Sequence, residues 1–128
     1  MTAGVAIYGG FAGSETARAQ RDCRTHETIL SGDIGAVGIV LDNSYHVLTG
    51  ADNAVLDGFT VAGGNANGST PNGGGMYNQS VSPAVVNCTF QDNMAQYQGG
   101  GVYNTLSTAT LTNGTQVSLA NGVSVGGQ

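Results

Sequence analysis

The sequence predicts an all-β chain, a parallel β-helix in which short strands stack coil upon coil. The first observation is a repeat: Gly73-Gly74-Gly75-Met76-Tyr77-Asn78 returns as Gly99-Gly100-Gly101-Val102-Tyr103-Asn104, 26 residues later. The register runs on without a gap, with Val85 on Leu111, Asn87 on Asn113 and Thr89 on Thr115. A looser earlier copy lays Leu56-Asp57-Gly58-Phe59-Thr60-Val61 on Val85-Val86-Asn87-Cys88-Thr89-Phe90. The second is composition: 22 of 128 residues are glycine and asparagine is frequent, which suits many tight turns between short strands. The third is that strands this short cannot pair as hairpins and keep a translational repeat. Each pairs instead with its equivalent one coil above, about 4.8 Å away, so that every repeat covers its neighbour's apolar face.

Taken in order, the chain is expected to form one domain over 1–128, with residues 14–27 as a side excursion and 73–122 as the clearest repeats. Val5 to Tyr8 read as a strand ending at Gly9-Gly10. Ser14 is an acceptable N-cap with Glu15 in the first turn, so a short helix is expected over 14–24, where β-branched residues are scarce. Thr28 to Ser31 resume strand. Ile34 to Leu41 are apolar and interrupted by Gly35 and Gly38. Tyr45 to Thr49 and Ala54 to Val61 follow as strands. Residues 62–75 carry repeated turn signals and read as the most flexible stretch. Period-2 alternation turns Met76, Cys88 and Phe90 inward and Tyr77 and Thr89 outward. The predicted core is Val47, Leu56, Phe59, Val61, Met76, Val85, Cys88, Phe90, Val102 and Leu111. Like-on-like stacking puts Asn78 on Asn104 and Asn87 on Asn113, where their amides are expected to form ladders.

Charge narrows the partners. Net charge is −5 and lysine is absent; the three cations, Arg18, Arg21 and Arg24, fall in one segment. No basic face can be assembled for nucleic acid or for an anionic membrane surface. No apolar run approaches the roughly 18 residues of a membrane span, and no signal peptide opens the chain. Cys23 and Cys88 either form one bridge or leave Cys88 as a small buried residue, the reading its apolar strand favours. With only His26 and His46 to join them and no paired spacing, no metal or other cofactor is expected.

The pattern Gly-Gly-x-apolar-Tyr, followed by Phe90-Gln91-Asp92-Asn93, resembles the paired GGA[IVL] and FxxN repeats of chlamydial polymorphic outer membrane proteins. More broadly the chain is similar to right-handed parallel β-helix repeat proteins of bacterial surfaces. The runs Ile7 to Thr16, Arg21 to Arg24 and Thr28 to Ile34 look like the N-terminal part of such proteins. The resemblance covers most of residues 5–115 and implies a right-handed helix and an extracellular or cell-surface location. The last coil departs from it: Gln116 occupies the slot of Phe90, and Val117 fits only after a one-residue shift.

Parallel β-helices also include pectin-lyase-like enzymes. Lyases of that kind need calcium and an Arg or Lys base, whereas the arginines here lie in the excursion and no carboxylates fall at calcium-loop spacing. Hydrolases need two facing carboxyls; Asp33, Asp42, Asp52, Asp57 and Asp92 each sit beside Gly or Asn and read as turn residues. A non-enzymatic structural or adhesive module is therefore expected, and a fragment of a pectin-lyase-like carbohydrate-active or glycan-binding β-helix protein is the alternative. Tyr77 and Tyr103 should stack outward on adjacent coils, as a ladder or as a platform for surface glycans. Thr108 to Thr112 do not extend into a threonine array one repeat earlier, and the Asn-x-Ser/Thr triplets at 67, 78, 87 and 113 occur readily by chance. Both ends read as open coils. Val5 and Ile7 begin almost at once, while Val123 and Val125 alternate near the other end without charged gatekeepers. Head-to-tail stacking with other copies of the chain is the expected assembly, unless missing flanks supply the caps.

Overall fold

The computed structural model describes residues 1–117, and it is a parallel β-helix. The strands in chain order are β1 (Ala6–Tyr8), β2 (Ile29–Ser31), β3 (Leu48–Thr49), β4 (Val55–Asp57), β5 (Thr60–Ala62), β6 (Asn65–Ala66), β7 (Met76–Gln79), β8 (Ala84–Val86), β9 (Thr89–Gln91), β10 (Met94–Ala95), β11 (Val102–Thr105), β12 (Thr110–Thr112) and β13 (Gln116–Val117). They stack into four ladders, β1-β4-β8-β12, β2-β5-β9-β13, β3-β7-β11 and β6-β10, and every pairing is parallel. Successive coils visit the ladders in one order, so each strand meets its own counterpart one turn later.

The repeats expected from sequence are the observed registers. Met76 pairs with Val102 and Tyr77 with Tyr103. Leu56 pairs with Val85, and Val61 with Phe90. The last coil takes one extra residue: Val117 lies on Phe90 and Gln116 on Thr89, so Thr115 does not. Thr115 fills the corner instead, its hydroxyl accepting the Cys88 N–H at 3.3 Å.

Alternation then builds the core as continuous columns. Ile7, Leu56, Val85 and Leu111 form one, and Leu30, Val61, Phe90 and Val117 another. Leu56, Phe59, Val61, Met76, Val85, Cys88, Phe90 and Val102 are buried, as their positions predict. Val47 and Leu111 are only half-buried, lying against the core from its margins. Each fully buried aliphatic side chain contributes about 1.5–3 kcal/mol.

Corners stack as faithfully as strands. Gly58, Asn87 and Asn113 all turn through positive φ at one corner, Gly63 and Asp92 at the next, and Ser80 and Leu106 at a third. Asparagine and aspartate tolerate that left-handed conformation best after glycine. The triple glycine has a different cause. A Cβ on Gly64 would meet the Gly74 carbonyl oxygen at 1.8 Å, and one on Gly74 would meet that of Met94 at 2.1 Å. The backbones approach so closely there that no side chain fits.

Buried amides close the corners. Asn78 donates to Asn104 at 2.7 Å, the predicted ladder. Asn87 does not donate to Asn113; it reaches down to the Asp57 carboxylate at 3.0 Å, and Asn113 is exposed. Asn93 accepts from the Gly64 N–H and donates to the Val61 carbonyl, tying its corner to the coil below. Phe90 and Asn93 thus divide the work of the Phe-x-x-Asn motif: one fills the core, the other satisfies the turn.

Several expectations need correction. Residues 14–24 form only one 3-10 turn, Arg18–Gln20. Asp22 captures backbone donors at the end of that span, accepting from the Arg24 and Thr25 N–H groups, while Glu15 accepts from Ala12 and Gly13 just ahead of it. These bonds hold both carboxyls below their ordinary range, those of Asp22 led by the Thr25 hydroxyl and those of Glu15 by the Ala12 N–H. Strand Tyr45 to Thr49 shortens to β3. Residues 62–75 are not all loop, because Asn65 and Ala66 are buried in β6. Ala54 to Val61 break at the Gly58 corner into β4 and β5, and the apolar run from Ile34 forms an exposed loop ending in a 3-10 turn, Val40–Asp42, with Val37 and Leu41 91% and 84% exposed. Asp33 and Asp42 accept N–H groups from Gly38 and Ala36 inside it.

Both cysteines are free thiols. Cys88 faces the core, and burial pushes its thiol up. Iodoacetamide at neutral pH is expected to modify the half-buried Cys23 and to spare Cys88 until the chain unfolds; peptide mass mapping with and without urea checks it.

Candidate functional site

Tyr77 and Tyr103 point outward from β7 and β11, as alternation requires. Their rings stack with centroids 5.5 Å apart and planes 16° apart. Gly73 and Gly99 make room: a Cβ on Gly99 would lie 2.8 Å from the Cβ of Tyr103. A third ring joins from the coil below. His46 stacks on Tyr77 at 5.1 Å, and its Nδ1 lies 2.9 Å from the Gly73 carbonyl oxygen. A carbonyl only accepts, so Nδ1 carries the proton in this contact. Sequence reasoning missed His46 because the strand register puts Thr49 beside Tyr77; the imidazole arrives from outside the ladder.

The column limits its own chemistry. Both faces of Tyr77 are covered, one by His46 and one by Tyr103. Its hydroxyl donates to Gln79 at 3.1 Å. The outer face of the Tyr103 ring and the far face of His46 remain uncovered by another ring among the described residues. Stacks of this kind contribute about 0.5–1.5 kcal/mol per pair, so the strip acts first as a ladder that holds three coils together.

The carboxylates are also engaged. Asp57 is not a turn residue: it ends β4, buried, and pairs with Arg21 of the excursion at 2.6 Å. Its other oxygen accepts from Asn87. Arg21 also donates to the Gly9 carbonyl and lies over the Tyr8 ring, with Arg18 closer at 4.4 Å. The excursion is thereby strapped to the first two coils. Asp57→Asn is expected to cost about 1–3 kcal/mol in urea unfolding, since it strands the guanidinium in a partly buried site. Asp92 occupies an exposed left-handed corner and is the turn residue the sequence suggests. Among the described residues no three His, Cys, Asp or Glu side chains converge as metal ligands.

The edge residues Val5 and Ile7 lie at the first coil. β1 and β2 are terminal in their ladders and have no partner on the outer side among the described residues. Val5, Ile7 and Ile29 are 45%, 36% and 53% exposed there. Met1 packs against the core beside β3, its amino group donating to the Thr49 carbonyl, and it leaves β1 and β2 open. Val123 and Val125 lie outside the described residues. No described helix is long and apolar enough to cross a membrane. Comparison with protein-family models, with curated proteins and with solved structures finds no match to this chain.

Proposed function

We propose that the chain is a non-enzymatic β-helix module with a structural or adhesive role, secreted or displayed at a cell surface, whose first coil is an edge for head-to-tail association. The observation that carries this reading is the open edge of β1 and β2, where Val5, Ile7 and Ile29 are exposed. Two core columns run out at that face, beginning with Ile7 and Leu30. Another coil of the same kind has the spacing and the backbone donors and acceptors to continue them. A contact of this type joins unlike surfaces and does not close, so it propagates as a filament. The occupied state of Asp57 and the corner position of Asp92 favour it over the carbohydrate-active alternative, in which two free carboxyls would face one another. The likeness to surface β-helix repeat proteins supports the location.

Sedimentation and negative-stain imaging over a concentration series test it. The wild-type chain is expected to form fibres. Ile29→Lys and Ala6→Lys, both on the outer side of edge strands, are expected to shorten or abolish them with unchanged circular dichroism and melting. A monodisperse monomer at high concentration would overturn the proposal.

A further inference from the structure

Among the described residues a cavity lies away from the aromatic column and one coil in from the open edge. It has a volume of about 650 Å³ and runs between the excursion and the outer face of the β5-β9-β13 ladder. Glu27 lines it from the excursion, Thr60, Thr89 and Gln116 from one outward column, and Asn87 and Asn113 from the adjacent corner. That volume is in the range of ligand clefts. Cys23 and Arg24 complete the wall.

Three features define what fits. First, the lining is hydroxyl, amide and carboxylate, with no aromatic or large aliphatic side chain, so an apolar ligand or a peptide's hydrophobic anchor gains nothing. Second, the charges balance. Arg21 is neutralised by Asp57 beneath the wall, and Arg24 and Glu27 oppose each other in sign across the lining. Neither a polyanion nor a polycation is selected. Third, the polar groups recur along the stacking axis. Thr60, Thr89 and Gln116 occupy one register position on three successive coils, about 4.8 Å apart. Asn87 and Asn113 repeat beside them. Amides and hydroxyls offer both donors and acceptors, which suits a ligand whose own groups do both and recur along a chain. Glu27 is held in place by the Thr60 hydroxyl at 2.7 Å, so part of the array is pre-set.

We infer that this groove binds an uncharged, polyhydroxylated chain, an oligosaccharide laid along the stacking axis across the second to fourth coils. The site is independent of the open edge, and its occupancy does not depend on filament formation.

The test uses the full chain with cellohexaose, maltohexaose and chitohexaose, and hexagalacturonate as the acidic comparison. Titration is followed by amide chemical shifts and calorimetry at a concentration where the chain is monomeric, or with Ala6→Lys, on the other ladder, where it is not. At least one neutral hexasaccharide is expected to perturb Thr60, Thr89 and Gln116. The double variant Asn113→Gly, Gln116→Ala removes two exposed side chains that make no internal hydrogen bond among the described residues, and glycine keeps the left-handed corner at 113 unstrained. It is expected to weaken binding at least tenfold while melting stays unchanged. Thr89→Val, nearly isosteric, is expected to weaken it severalfold, which separates ligand contact from loss of fold. No perturbation by any neutral sugar overturns the inference. So does binding that the double variant leaves intact, binding that maps to Tyr103, or tighter binding of hexagalacturonate that Arg24→Ala abolishes.

Discussion

Gly64→Ala is expected to abolish the native stack between the second and third coils. The added Cβ would sit 1.8 Å from the Gly74 carbonyl oxygen and 2.5 Å from its carbon. Both are backbone atoms of the same coil, where the chain returns from the loop after β6, and cannot swing aside as a flexible side chain would. Relief requires displacing Gly64 from its corner, which breaks its bonds to the third coil, from the Met94 N–H to the Gly64 carbonyl and from the Gly64 N–H to Asn93. Overpacking alone costs about 1–3 kcal/mol, and two stranded buried groups add about 1–3 kcal/mol each. A module of this size has only about 5–15 kcal/mol in hand. The expected outcome is a chain largely unfolded at 37 °C by circular dichroism. Ala at the exposed Asn67 is the control and should melt like wild type.

Phe90→Ala is the second large effect, through a cavity instead of a clash. Phe90 is fully buried and is among the largest side chains of the core. Its ring packs under Gly75 and its Cβ beside Gly101, where an added Cβ would lie 2.9 Å from Cδ1 and 3.5 Å from Cβ respectively. The Gly101 carbonyl crowds the same space at Gly75, and Val117 does so at Gly101, so both positions stay glycine and those backbones have no side chain with which to refill the vacancy. Phe→Ala costs typically 3–5 kcal/mol, and the upper part of that range is expected from urea unfolding. Phe90→Leu should recover about half of the loss. An effect below about 1 kcal/mol would mean that the column collapses around the vacancy.

These two variants also mark what was readable in the chain. A period of 26 residues, inward Met76 and Phe90, and the Tyr77–Tyr103 pair follow from like stacking on like, and the registers repeat them. Even the one-residue slip of Val117 is visible as a broken match. What stayed hidden is whatever joins unequal parts of the chain. The Arg21–Asp57 pair spans 36 residues through a segment with no copy elsewhere. His46 approaches Tyr77 from outside the ladder. The groove combines that same unique excursion with three repeats. Periodicity reports contacts between equivalents, and these contacts have no equivalents. The missing helix over 14–24 has a local cause, the capture of the Arg24 N–H by Asp22.

The strap from the excursion gives the stack a direction in time. In a solenoid each coil is held only by its neighbours, and opening can begin at either end. Arg21, Tyr8 and Asp57 tie the first coil to the second by contacts beyond the ladder bonds; β11 has the Tyr103 stack and the Asn104 amide, but among the described residues β12 and β13 have no ion pair to the coil below. Fraying therefore starts from the fourth coil and halts where the guanidinium is bound. In native-state hydrogen exchange the amides of β12 and β13 open at the lowest free energy and those of β4 and β5 open last, so the two coils under the excursion are the cooperative unit from which the rest unwinds.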